Sequence, residues 1–207
     1  MVRLTDDEQL TMDSYARIAA KRAATHNKPS FWEKEFEKYR ALLPSGKVLD
    51  AGCGSGRDAL MFTPAGYDYV GVDLSQEMLA QARLAAPNAA FQQMDLYRFK
   101  FGDSSFDGFW AAASLIHAPR DRVDLMLYEL QRVTRNNGVG FIAMKEGYGT
   151  RRSENGDDKR VYTLYEQDEF AHIINTTGLK VIEADKNLAE TAPGCNGTVW
   201  LTYFVRA

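Results

Sequence analysis

The segment Lys47-Val48-Leu49-Asp50-Ala51-Gly52-Cys53-Gly54-Ser55-Gly56-Arg57-Asp58-Ala59 limits what this chain can fold into more than any other. Val48, Leu49 and Ala51 read as the end of a buried strand, glycines follow at every second position, and Asp58-Ala59-Leu60-Met61-Phe62 begins a helix. Glycines at 52, 54 and 56 remove Cβ atoms where the chain must bend, so a flat or charged ligand can lie against backbone N–H groups at the helix start. A phosphate loop is disfavoured, because Gly-x-x-x-x-Gly-Lys-Ser/Thr is absent and Gly56 is followed by Arg57 and Asp58. The dinucleotide fingerprint also fails, since its third glycine would fall where Arg57 stands. Asp50 puts a negative charge just before the turn, which repels a pyrophosphate and suits a ligand carrying an ammonium group. The turn therefore reads as a cradle for a cationic nucleoside.

Further motifs follow in register. Val48-Leu49-Asp50-Ala51-Gly52-Cys53-Gly54-Ser55-Gly56 resembles the first motif of class I S-adenosylmethionine-dependent methyltransferases, and Gly71-Val72-Asp73-Leu74-Ser75 resembles their second. Phe91-Gln92-Gln93-Met94-Asp95-Leu96 resembles the adenine-contacting segment, and Phe106-Asp107-Gly108-Phe109-Trp110, leading to Leu115 and His117, resembles the fourth-strand motif. Leu127 to Val139 resembles the helix and turn before strand five, with Asn136-Asn137-Gly138 in place of the family's Pro-Gly-Gly. The resemblance covers residues 45–147, with weaker flanks. The Gly56-Arg57-Asp58-Ala59 continuation is similar to bacterial small-molecule methyltransferases of the tellurite-resistance-like kind, methyltransferase type 11 or 25.

Lys47–Ala51, Tyr67–Asp73, Ala89–Met94, Phe106–Ala112 and Gly138–Lys145 read as strands with helical stretches between them, which predicts a parallel sheet covered on both faces. A helix over Gln167–Thr176 precedes two last strands, Leu179–Ala184 and Thr198–Val205, joined by a loop around Pro193-Gly194. The resemblance implies that these form an antiparallel hairpin. The fold class is accordingly α/β: a Rossmann-like, doubly wound seven-stranded sheet, mostly parallel with an antiparallel C-terminal strand, plus N-terminal helices covering the cofactor site. At 207 residues the chain fits one domain, with a helical cap over 1–44, a cofactor-binding core over 45–147, and an acceptor-side loop and C-terminal hairpin over 148–207. Capping boxes at Thr5…Glu8 and Ser30…Glu33 start two leading helices, the second with a Phe31, Phe36, Tyr39, Leu43 stripe ending at Pro44.

Ligands of an open α/β sheet bind beyond the carboxyl ends of the strands, where strand order reverses. Asp73 can accept from both ribose hydroxyls, or serve with Ser75 to cap a helix. Asp95 can accept from the adenine amino group, or act as a turn aspartate, with Met94 and Leu96 beside it. Leu74 and Met78 suit the adenine face or the core, and Asp50 suits the ammonium group, directly or through water. Gly52, Gly54 and Arg57 complete the turn side of the cofactor site, and Ala112 and Ala113 leave room beside the sulfonium. The resemblance adds Tyr15, in a Tyr-x-x-x-Ala pattern with Ala19, reaching the cofactor's carboxylate. His117 and Glu146 are the candidate general bases; the alternatives are packing for His117 and surface pairing with Lys145 or Arg151 for Glu146. Residues 147–159 read as an irregular loop, either a mobile lid or a solvated one, with Arg151, Arg152 and Arg160 offering anion recognition and Tyr162 and Tyr165 offering walls.

The net charge of −3 gives no basic footprint and argues against a nucleic-acid substrate. The two cysteines Cys53 and Cys195, the lack of metal-ligand spacing, and the lack of a signal peptide or long apolar run point to a cytoplasmic protein with no metal and no membrane span. The resemblance implies S-adenosylmethionine as cofactor, S-adenosylhomocysteine as product, and methyl transfer to an N, O or S nucleophile of a small molecule. Its alternatives are a tRNA-modifying methyltransferase and a non-catalytic cofactor-binding regulator. A nicotinamide-dependent oxidoreductase is disfavoured by Arg57 and Asp50. Oligomeric state is not legible here.

Overall fold

The computed structural model describes residues 3–27, 29–153, 156, 158–188 and 197–207. Helices α1 (Asp6–His26) and α2 (Glu33–Leu42) precede β1 (Lys47–Ala51), α3 (Ala59–Phe62), β2 (Asp68–Asp73), α4 (Gln76–Ala85) and β3 (Ala90–Gln93). Then come β4 (Phe106–Ala112), α5 (Val123–Val133), β5 (Thr134–Lys145), β6 (Gly149–Arg152), β7 (Val161–Leu164), α6 (Gln167–Thr176), β8 (Lys180–Leu188) and β9 (Val199–Arg206). The main sheet has seven strands in the order β3-β2-β1-β4-β5-β9-β8, with β9 antiparallel to both neighbours. The expected doubly wound sheet with its antiparallel C-terminal hairpin is the observed one.

Parallel strands must bury both faces, and β1, β2, β4 and β5 are apolar and buried along most of their length. On one face α2 packs Phe36 and Tyr39 against Phe62 and Trp110, and Trp110 stacks on Phe141 at 4.0 Å between ring centres. Between β1 and β4 the strand order reverses, which opens a crevice at their carboxyl ends.

Strand ends differ from the sequence reading by a residue or so, β8 runs on to Leu188 rather than Ala184, and three further differences have a physical reason. Helix α2 has Trp32 as its N-cap with no side-chain cap, behind a 3-10 turn over Pro29–Trp32, so the Ser30…Glu33 box does not start it. Strand β5 begins at Thr134 rather than Gly138: Asn137 takes a left-handed φ of 62° that asparagine tolerates, and its N–H bonds the Ala207 carbonyl, so the Asn136-Asn137-Gly138 turn is absorbed as an irregularity of the strand. Residues 147–159 are not wholly irregular, because β6 pairs antiparallel with β7, whose Val161-Tyr162-Thr163 run has strand propensity and is buried. Pro193-Gly194 lies outside the described residues.

Helix α1 starts on the expected capping box, with Thr5 N–H donating to Glu8 Oε2 at 2.8 Å and Glu8 N–H to Thr5 Oγ1 at 3.3 Å. Its buried face is largely polar: Glu8, Thr11, Ser14 and Ala19. Such a face docks by hydrogen bonds rather than by an apolar stripe. Thr11 Oγ1 accepts from Val161 N–H and Ser14 Oγ from Lys159 N–H, each at 3.0 Å, so α1 is fastened to the β7 backbone and held across the strand ends. Among the described residues no helix is long and apolar enough to cross a membrane.

Candidate functional site

A cleft lies beyond the carboxyl ends of β1, β2, β3 and β4, roofed by α1. Its floor is the glycine turn. Gly52 and Gly56 both have φ of +82°, where an L side chain is strained, and the N–H groups of Gly52 and Cys53 anchor the turn to the Val72 carbonyl at 2.8 and 2.9 Å. Asp73 closes the turn from β2: Oδ2 accepts from Gly54 N–H and Oδ1 from Ser75 N–H, both at 2.9 Å, while Ser75 Oγ caps α4. Burial raises the Asp73 carboxyl, and the backbone donors of Ser75, Gly54 and Leu74 pull it back. These donors fix the carboxylate at the cleft wall, where its remaining acceptor capacity is available.

Leu74, Met78, Asp95, Leu96, Ala112 and Ala113 also line the cleft. Ala113 has a left-handed φ of 65°, a strained conformation at the end of β4 beside the floor. Asp95 uses Oδ1 to accept from Tyr97 N–H at 3.0 Å, as a turn aspartate does. Met94 turns away: it is buried, and its sulfur accepts from Lys100 N–H. Asp50 also lies off the cleft wall, because strand alternation points it under the turn, where Tyr69 Oη donates to Oδ2 at 2.5 Å. Burial and then Asp58 raise the Asp50 carboxyl well above the usual range. Direct contact between Asp50 and a ligand's ammonium group does not fit this placement. Arg57 reaches the cleft but is forked onto Asp58 at 2.5 and 2.7 Å, and Asp58 also accepts from Trp110 Nε1.

The far wall is a relay. Arg160 donates to Tyr15 Oη at 3.0 Å, Tyr15 Oη lies 2.9 Å from His117 Nε2, and His117 Nδ1 lies 2.6 Å from the Val161 carbonyl. A carbonyl only accepts, so Nδ1 carries the proton, Nε2 accepts from Tyr15, and Tyr15 accepts from Arg160. Burial, joined by the charges of Arg160, Lys145 and Arg22, pushes His117 down to about 3. His117 is therefore neutral at pH 7 and its one lone pair is occupied. Its unfolded form takes up a proton below about 6.5 while the native form does not until about 3, so its contribution to stability falls as pH drops through that window. His117→Asn is expected to lessen the loss of stability between pH 7 and pH 4.5 by roughly 2–3 kcal/mol, because each pH step of one below 6.5 costs the wild type about 1.4 kcal/mol. Urea denaturation at each pH measures it.

Glu146, the other candidate base, is not on the cleft wall; it pairs at the surface with Lys186, not with Lys145 or Arg151. Arg152 pairs with Asp7 and Arg160 with Asp158. Tyr162 and Tyr165 are buried under Lys145 and Arg120 and do not line the cleft. Sequence reasoning missed Glu8, Arg22, His26 and Tyr97, all of which do. Glu8 accepts from Tyr97 Oη at 2.6 Å, so the capping residue also ties α1 to the β3 side. The signal for Arg22 and His26 was their spacing from Tyr15, seven and eleven residues on, which shares one helix face.

The fold has counterparts in known proteins. The methyltransferase domain family matches residues 48–138, the span that holds the glycine turn, Asp73, Asp95 and His117. Residues 48–138 belong to the class I S-adenosylmethionine-dependent methyltransferases. Among curated relatives of this methyltransferase domain, malonyl-[acyl-carrier protein] O-methyltransferase of Erwinia billingiae is 35% identical over 105 residues, 51% of this chain and 41% of that protein. The chain thus spans about two-fifths of the length of that relative. Among solved structures, 1,6-didemethyltoxoflavin-N1-methyltransferase of Burkholderia thailandensis, with 1,6-didemethyltoxoflavin and S-adenosylhomocysteine bound, superposes with a TM-score of 0.77 at 20% identity, covering 100% of this chain and 92% of that one. The [4+2]-cyclase SpnF gives a TM-score of 0.70 at 15% identity, covering 97% and 95%. The methyltransferase fold extends beyond the matched span to the whole chain.

Proposed function

We propose that this chain binds S-adenosylmethionine in the strand-end cleft and transfers its methyl group to an N, O or S nucleophile of a small molecule, leaving S-adenosylhomocysteine. The observation that carries this reading is the Asp73 carboxylate on the cleft wall, clamped by Gly54 and Ser75 N–H, whose remaining acceptor capacity suits a ribose diol. Asp95, Leu96, Leu74 and Met78 then surround the adenine position, and Ala112 and Ala113 leave space toward the sulfur. When bound, the cofactor supplies an electrophilic methyl group on a sulfonium.

The chain's own contribution is positioning. The α1 roof, fastened through Thr11, Ser14 and Tyr15, covers the cleft and holds bound groups in place beneath it. Alignment of this kind is worth roughly 7–11 kcal/mol, against about 10²–10⁴-fold in rate for one general base. Neither candidate base stands ready: His117 has its lone pair on Tyr15, and Glu146 is not on the cleft wall. The nucleophile's proton then leaves to solvent, or to His117 once Tyr15 shifts.

The occupied His117 lone pair also favours a second reading, a cofactor-binding protein without methyl transfer. A cytoplasmic setting suits either. Incubation with S-adenosylmethionine labelled on the methyl group, a metabolite extract and bulk tRNA separates the readings. Label in the small-molecule fraction is expected; label in tRNA would mark a tRNA enzyme, and binding with no transfer would mark the second reading.

A further inference from the structure

We propose that the methyl acceptor binds as an anion, through an ionised oxygen or sulfur, at the carboxyl end of β5, with Lys145 as its counter-charge and the Trp200 indole as an N–H donor. This rests on the transfer reaction proposed above and narrows its nucleophile to an ionised O or S. Ala112, on the cleft wall, pairs with Ala143 of β5, and Lys145 stands two residues further out, opposite Trp200 of β9. The Lys145 ammonium lies 3.7 Å from the Tyr162 ring centre and 5.6 Å from that of Trp200, and the Tyr162 ring centre is 5.1 Å from that of His117 on the cleft wall. The Ala112 end of the cleft thus adjoins a cation set among aromatic faces.

Two donors beside that cation are unused. Trp200 and Trp32 are 4% and 2% exposed, their ring centres are 5.5 Å apart, and neither indole N–H has a hydrogen-bond partner. Trp110, the remaining tryptophan, gives its N–H to Asp58 in the core. A desolvated N–H without an acceptor is unfavourable, and an anion is the strongest acceptor it can meet.

Methylation of a neutral amine leaves a cation that must lose a proton, whereas methylation of an anion leaves a neutral product. The acceptor's lone pair forms the bond to the methyl carbon, the methyl–sulfur pair returns to sulfur, and the charges of anion and sulfonium cancel with no proton left over. The charges of Arg160, Lys145 and Arg22, which join burial in keeping His117 neutral, oppose a new cation and favour the anion. Of the carboxylates near this end, Asp158 is forked by Arg160 and Glu146 pairs with Lys186. An acceptor that arrives ionised needs no base, which fits the occupied lone pair of His117.

The test uses the wild type, Lys145→Met, Lys145→Arg and Trp200→Phe, after thermal melts show that all four are folded. Each, saturated with S-adenosylhomocysteine, is titrated with benzoate and with benzamide while the indole N–H signals are followed by NMR, that of Trp200 being the one absent from W200F. Benzoate is expected to shift the Trp200 signal and benzamide to leave it in place, with benzoate affinity roughly tenfold lower in K145M and partly kept in K145R. In parallel, wild type is incubated with a metabolite extract and S-adenosylmethionine carrying a carbon-13 methyl, and the methyl signal of the product names the atom that received it; oxygen or sulfur is expected. The proposal is overturned if benzoate shifts nothing, if benzamide acts as benzoate does, if K145M matches wild type, or if the methyl stands on nitrogen. A benzoate response without transfer sinks the proposed reaction and keeps the anion seat, while transfer to nitrogen does the reverse. Should wild type not bind the nucleoside, the same titration without it decides for or against Lys145.

Discussion

Asp73→Asn is expected to weaken S-adenosylhomocysteine binding by roughly 100-fold, about 2.7 kcal/mol, while leaving the fold intact. Two effects add. The charge-assisted bonds from a ribose diol become neutral ones, and the amide nitrogen must face either Gly54 N–H or Ser75 N–H, a donor against a donor. The second effect loosens the glycine turn from β2 even without ligand, so a small fall in stability accompanies the loss of affinity. Calorimetric titration, with a denaturation curve on the same sample, separates the two. An unchanged dissociation constant would remove Asp73 from the site.

Gly52→Ala is expected to be the most damaging small substitution in the turn. An added Cβ would lie 2.3 Å from Ser114 Cβ, and φ of +82° strains any L residue. Gly54→Ala is milder, because its Cβ meets only the terminal methyl of Met78 at 3.2 Å, which can swing aside. A loss on the order of 3 kcal/mol for G52A corresponds to roughly 6–12 °C in a chain of this size, against a few degrees at most for G54A. Thermal melts of the two variants side by side read the difference, and equal melting temperatures would mean that the β4 end does not press on the turn as described.

The sheet was legible in the sequence because parallel strands buried on both faces leave near-continuous apolar runs, and Val48–Ala51, Tyr69–Val72 and Phe109–Ala112 are such runs. Asp73 and Asp95 were legible because they stand at strand ends. Direct contact for Asp50 was misread for a reason of pleat geometry: it shares a face with Tyr69 on the neighbouring strand, and which face that is depends on packing beneath the turn. The partners of α1 were not legible, since Thr11 and Ser14 bind backbone N–H groups about 150 residues away and any β7 sequence would supply them. The occupied state of His117 follows from the same long-range contact, through Val161 and Arg160.

The most direct measurement is calorimetric titration of S-adenosylhomocysteine into the purified chain, repeated with the Asp73→Asn variant. One-to-one binding in the micromolar range, lowered about 100-fold by the substitution, is the expected result. No heat and no saturation at millimolar nucleoside in the wild type, or identical curves for both proteins, would contradict a strand-end cleft built for an amino-acid nucleoside.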